Sequence, residues 1–422
     1  MPAPRLQLPT IQNWSCHNCG GCCRQHLIEI TDDERQRIEG QNWTADDGVA
    51  GERPVVEWHA GPPWNKRYRL AHQSDGACVF LDERGLCRIH AKFGEDAKPL
   101  ACRIYPYAFH PAGKEVTVSL RFSCPSVVAN RGRALGENRA EIRRLAEAVV
   151  PEGATRAPAP AVSPRERLEW PDVLRMMRAL DATLADPDVP VAVKLLRALF
   201  WIDLVAHARF ETVRGDRLAD FLSLITQAAA AEVPGLPGPE RPSRVGRLYF
   251  RMHAAQYARK DTAADLAGGW RNRLRLLRAA VRFARGRGDV PRLQEGFRPV
   301  PFAALEEPFG RIPDEADEML TRYFRVKLQG LHFCGPAYYG LPVVEGFHSL
   351  ALMLPVFLWL ARWRAAAEGR SQLASDDVAH AIAVADHHHG YSPALGQWPA
   401  RRRVRTLARM GDLGRLVAWY AR

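Results

Sequence analysis

Lysine is scarce in this 422-residue chain: seven of its 59 cationic side chains are Lys and the other 52 are Arg. Such a skew follows genome base composition, so the net charge of +12 argues only weakly for a nucleic-acid partner. Long apolar runs are missing too. The longest, residues 350–361, is shorter than the ~20 residues a bilayer span requires and contains Pro355. The first residues lack the basic-then-apolar order of a secretory signal, so no membrane segment and a cytoplasmic location are expected. No strand leads into a GxGxxG turn that would cradle a nucleotide. The nearest glycine pair, RGRGD at 285–289, follows an Arg-rich helical stretch and reads as a loop. There is no internal repeat. With 47% apolar and 25% charged residues, the composition excludes disorder and fibrous classes for the chain as a whole.

Cysteine is almost absent beyond residue 124, where Cys334 stands alone and is expected as a buried hydrophobe. The other eight are crowded in front: Cys16, Cys19, Cys22, Cys23, Cys78, Cys87, Cys102 and Cys124. In a reducing compartment such density points to metal rather than disulfides. The first four form CxxCxxCC, in which two-residue spacers turn thiolates toward one centre and Gly20 and Gly21 let the backbone wrap. An iron–sulfur cluster uses a CxxCxxC run plus a remote cysteine, and Cys124, followed by Pro125, fits as the fourth ligand of Cys16, Cys19 and Cys22. Cys23, Cys78, Cys87 and Cys102 then remain for a second site. Two tetrahedral zinc sites, or one 4Fe–4S cluster with several non-ligand cysteines, satisfy the same spacing. Arg24 and Arg103 each follow a cysteine, where a cation favours thiolate. His17, His26, His90 and His110 lie near cysteines and are candidate substitute ligands.

The expected fold class is α+β overall and mostly α: a small irregular cysteine-rich metal-binding domain (1–130), a helix and Pro-rich linker (131–165) and a larger all-helical domain (166–422). In the first unit, residues 78–81 and 86–89 flank a four-residue turn, predicting a hairpin with Phe80 opposite Cys87. A second pairing joins 104–109 to 115–122, where Val116, Val118, Leu120 and Phe122 alternate as on a half-buried strand. Helices are predicted near 171–186, 191–211, 216–231, 263–285, 314–330, 343–367 and 376–389. Asp386, His387, His388 and His389 close the last of these, which also carries His380. A polar helix end stopped by Gly390 is the default there, with a metal or proton-transfer role as the alternative. The basic tail from 400 to 422 reads as a small amphipathic helix with a solvated face.

The CxxCxxCC start, Cys78–x8–Cys87, the KPLACRIYP segment and Cys124 together resemble the eight-cysteine zinc- or iron-chelating domain of YkgJ-like cysteine-cluster proteins and of flagellin lysine-N-methylases. Pro99, Cys102, Arg103 and Pro106 match that family's segment, and Lys98 stands where an arginine is expected. The stretch ADEMLTRYFRVKLQGLHF is similar to a helix of the methylase branch. The resemblance implies that the eight cysteines are metal ligands. It also implies methyl transfer, with S-adenosylmethionine as donor, to lysine of a protein substrate such as flagellin. A non-catalytic metal module on a helical interaction scaffold is the alternative, and a zinc-stabilised nucleic-acid binder is the third reading.

Overall fold

The computed structural model describes residues 5–49, 54–259, 270–294 and 296–422. It is 53% helical with 9% strand, which is the α+β, mostly α class that the sequence predicts. Six short strands lie before residue 121 among the described residues: β1 Arg5–Gln7, β2 Glu29–Ile30, β3 Val56–Ala60, β4 Arg67–Leu70, β5 Tyr107–Ala112 and β6 Glu115–Leu120. They build two sheets, ordered β1-β6-β5 and β2-β4-β3. The β5–β6 hairpin forms as predicted, with Phe109 opposite Val118 and His110 opposite Thr117. Its loop is tighter than HPAGK suggests: pairing continues to Ala112, and Gly113 turns the chain at φ 66°. Val116, Val118 and Leu120 are buried, but so are Thr117 and Ser119. The strand is covered on both faces because a helix end lies directly on it. The Thr117 hydroxyl donates to the Gly330 carbonyl at 3.1 Å, and a Cβ at Gly330 would fall 2.4 Å from the Ser119 Cβ.

The other expected hairpin needs correction. The turn at 82–85 exists: Asp82 accepts the N–H groups of Arg84 and Leu86, and Gly85 takes φ 82°. Cys87, however, bridges to Leu81 rather than Phe80. The chain then enters a helix, Arg88–Phe93, with Cys87 as its N-cap, so the second strand does not develop.

Helices account for the rest. The predicted segments appear as Trp170–Ala185, Val191–His207, Gly215–Glu232, Asp314–Gln329 and Ser375–Asp386. Pro171 sits in a first turn, where no N–H is needed. Asp314, Glu315 and Asp317 lie in the first turn of Asp314–Gln329, where their charge complements the helix dipole. The helix expected over 263–285 is seen as Trp270–Arg285, its first residues lying outside the described ones. Residues 343–367 divide into Val343–Ala351 and Met353–Ala367. Pro355 explains the break, since it has no N–H for the carbonyl of Ala351 and its ring crowds that group. Helices Arg139–Val149, Arg244–Tyr257, Trp398–Arg409 and Asp412–Tyr420 also form. Taken whole, Val343–Ala367 is long and apolar enough to cross a membrane, with mean hydropathy 1.7, unlike the short run expected from sequence. Yet 89% of its most apolar window is buried within the protein, where it serves as a core helix.

Two hydrophobic cores form among the described residues. The smaller runs from Ile30 to Ile89 and takes in Phe80, Val56, Leu70 and Cys78. The larger joins the β1-β6-β5 sheet, from Leu6 to Phe122, with the helices as far as Ala421. The Pro-rich part of 131–165, expected as a linker, is packed into it. Val162 is fully buried, and the carbonyls of Ala161 and Val162 accept the N–H groups of Val343 and Val344 at 2.8 and 3.0 Å.

Candidate metal centre

Each cysteine reaches the site by a different local device. Asn18 and Gly20 take left-handed φ values of 52° and 65°, curling the loop that holds Cys16 and Cys19 before the short helix Gly21–Gln25 delivers Cys22 and Cys23. Gly85 packs close to this loop; a Cβ there would meet the Asn18 carbonyl at 2.8 Å, which brings the turn before Cys87 against it. The Cys78 N–H donates to the Cys23 carbonyl at 2.8 Å. Cys102 lies on the helix Leu100–Ile104, and Cys124 caps Pro125–Val128 at the end of β6. All eight line one cavity of about 960 Å³.

Within it the thiols fall into neighbourhoods. Cys22 and Cys23 are 3.9 Å apart, sulfur to sulfur. Cys22 and Cys87 act electrostatically on both Cys78 and Cys102. Cys19 acts on Cys124, and a Cβ at Gly21 would touch both the Cys19 sulfur, at 3.4 Å, and Pro125, at 3.7 Å. Cys16 and Cys19 are exposed at the rim, whereas Cys78 and Cys124 are buried. In sulfur-to-sulfur contact Cys22 meets its neighbour Cys23.

Among the described residues no three Cys, His, Asp or Glu side chains converge as a ready-made metal cage. A hydrogen bond to Cys23, then burial, pushes the Cys22 thiol far up, and burial pushes Cys78 up to about 12 and Cys102 further. Burial also raises Cys124, against the backbone N–H groups of Val127 and Ser126. A bound ion would take these sulfurs as thiolates, so its binding would release their protons. Soft sulfur donors in this number suit zinc or iron.

The cations expected at the thiols are directed at carboxylates: Arg24 pairs with Asp75 at 3.3 Å and Arg103 with Asp96 at 2.9 Å. Lys98, partly buried, is a cation near Cys22, Cys87 and Cys102. Burial opposes its charge, but Glu95 and the two thiols Cys87 and Cys102 outweigh that and hold it above its ordinary range.

These observations place the first quarter of the chain among known proteins. Residues 15–125 match the CxxCxxCC family, described as "Putative zinc- or iron-chelating domain". The "Flagellar biosynthetic protein FliU" of Salmonella muenchen is 36% identical over 69 residues, a stretch covering 15% of this chain and 41% of that protein. No solved structure matches the chain. The CxxCxxCC segment thus ends where the helical part begins to contribute to the same cavity.

The cavity is also lined by Tyr105, His110 and Arg121 and, from the helical part, by Tyr391, which the sequence did not mark. Beneath this lining lies a fully buried ion pair, Lys327 to Asp386 at 2.7 Å. Asp386 also accepts the backbone N–H groups of Phe122 and Ser123 at 2.5 and 3.2 Å, immediately before Cys124. Lys327 also donates to the Leu120 carbonyl at 3.1 Å and lies 3.3 Å from His332 Nδ1. Burial pushes the Lys327 ammonium down, against the pull of Asp386. Lys327 was hidden in an apolar stripe; its place four residues after Tyr323, on the same helix face, was the available signal. The histidines at 387–389 do not act as one set. His387 stacks on His26 at 4.9 Å, His389 is hydrogen-bonded to Tyr257 at 3.1 Å, and His380 packs against Phe297. Cys334 is buried, as expected.

Proposed function

We propose that the eight cysteines hold an iron or zinc centre and that the protein is a metal-dependent protein-lysine N-methyltransferase. One observation carries the metal reading: eight thiols from separate turns and helices line a single cavity. The family match over residues 15–125 supports it. Bound metal would neutralise the thiolates, with Cys16, Cys19, Cys22, Cys23, Cys78, Cys87, Cys102 and Cys124 as the candidate ligands, four to a centre. The transferase reading rests on the resemblance to flagellin lysine-N-methylases, together with the short FliU match. In it, the acceptor lysine must lose its proton before its nitrogen attacks the sulfonium methyl of S-adenosylmethionine. A C–N bond forms as the C–S bond breaks, and S-adenosylhomocysteine leaves. The apolar wall of the cavity would favour the neutral amine by desolvating it.

Anaerobic purification with metal analysis and a visible spectrum tests the first part. Broad visible absorption with bound iron indicates an iron–sulfur centre, and a colourless protein with stoichiometric zinc indicates zinc. A metal-free but fully folded protein overturns the reading. For the second part, metal-loaded protein is incubated with methyl-labelled S-adenosylmethionine and flagellin. Label on lysine is expected, and a Cys22→Ser, Cys78→Ser double variant should lose it. A metal-loaded protein that transfers nothing overturns the transferase and leaves a binding module.

A further inference from the structure

We infer that the part of the cavity around Arg121 is a binding site for a small organic carboxylate with a flat or apolar body, held by Arg121 between Tyr105 and Tyr391. This goes beyond metal binding and methyl transfer; it needs no transfer, and only its test, run on loaded protein, rests on the metal reading.

Arg121 is rigidly based. Its N–H donates to the Pro106 carbonyl at 2.8 Å, and its own carbonyl accepts the Cys124 N–H at 3.2 Å. The guanidinium lies 3.8 Å from the ring centre of Tyr391 and 5.6 Å from that of Tyr105. Stacking of this kind orients the planar fork while leaving its edge available. Among the described residues no carboxylate pairs with it, and its buried Nε has no hydrogen-bond partner. Arg325 and Arg197, by contrast, meet Asp181 at 2.9 Å and Asp186 at 2.8 Å. The charge nearest beneath Arg121 is Lys327, of the same sign and already taken by Asp386. Arg121 therefore faces the cavity with its positive charge unmatched.

Size and chemistry then define the ligand. About 960 Å³ lies at the upper end of the ~300–1,000 Å³ that small-molecule sites occupy, far more than metal ions fill. One planar cation suits one carboxylate, taken by two parallel N–H···O bonds. A phosphate dianion would lack a second cation in this part of the cavity. Tyr105, Tyr391 and Phe109 offer ring faces and edges for a flat or apolar body.

The test is calorimetric titration of full-length, metal-loaded protein with benzoate and with its uncharged analogue benzamide. Benzoate should bind about tenfold or more tightly than benzamide, the discrimination of one charge-assisted pair. Arg121→Gln should bring the two to the same weak affinity with metal content unchanged, and Tyr391→Leu should weaken both. Equal binding of the two probes by the wild-type protein overturns the proposal, as does no binding of either at millimolar concentration. So does an Arg121→Gln protein that binds benzoate normally or sheds its metal, since the arginine then serves something other than the carboxylate. Should Arg121→Gln not fold, the wild-type benzoate-to-benzamide ratio still decides.

Discussion

Lys327 and Asp386 are both fully buried and 2.7 Å apart, and their surroundings are well satisfied by backbone groups of the strand that leads to Cys124. Removing one partner strands the other charge, so Lys327→Met is expected to cost about 3–5 kcal/mol. Replacing both, with Asp386→Leu added, should recover part of that loss. Denaturant midpoints of the single and double variants check this, and additive losses would count against the pair. A second residue-scale effect concerns histidines. Burial holds His253 down to about 3 and His348 down to about 4. The unfolded chain takes up those protons near pH 6.5 while the folded chain does not. Stability is thus present above that pH and falls as pH drops, by about 1.4 kcal/mol per pH unit for each imidazole until its folded value is reached. Urea midpoints at neutral and mildly acidic pH measure the loss, and His253→Leu should make the acid dependence shallower.

Among elements, the helix Asp32–Glu39 links the site to its surroundings through its first turn. Thr31 and Glu34 form a reciprocal capping box, with the Thr31 N–H donating to Glu34 at 2.9 Å. The second oxygen of Glu34 accepts the Leu100 N–H at 2.7 Å, holding the start of the helix that carries Cys102. Glu34→Ala should cost about 1–2 kcal/mol. It should also loosen metal retention, read as faster loss to a chelator at unchanged helix content; an unchanged rate would assign Glu34 to capping alone. Element types were largely legible from the residues. Helical periodicity over 12 to 18 residues, with prolines and acids at the starts, is a strong repeated signal, and those helices appear within a few residues of their expected bounds. The short pieces were less so. Residues 86–89 have strand-like composition, but four residues carry little propensity, and hydrogen bonding by Cys87 and Asp82 settles them as turn and helix.

Across the molecule, the two cores divide the chain by packing. The smaller core, from Ile30 to Ile89, includes Cys78 and sits beside Cys23, Cys87 and Cys102, so a bound ion would stabilise it most. The larger core contains the hairpin that carries Cys124 and draws on the helices from Trp170 to Tyr420. Stripping metal from loaded protein should therefore raise amide exchange first between residues 30 and 89, with the helical circular dichroism nearly intact. Simultaneous loss of both signals would show that the cores unfold as one.

By itself the sequence determined the composition of the site and the identity of most elements. Thiols clustered before residue 125 define the chemistry, and local periodicity defines the helices, because both are properties of neighbours along the chain. Tertiary structure alone decided that all eight cysteines line one cavity, that Arg24 and Arg103 turn to Asp75 and Asp96, that Arg121 and Tyr391 share that lining, and that Lys327 and Asp386 pair beneath it. Arg121 and Tyr391 lie 270 positions apart in sequence. Only burial in a shared core brings such groups together, and no spacing rule within the chain records it.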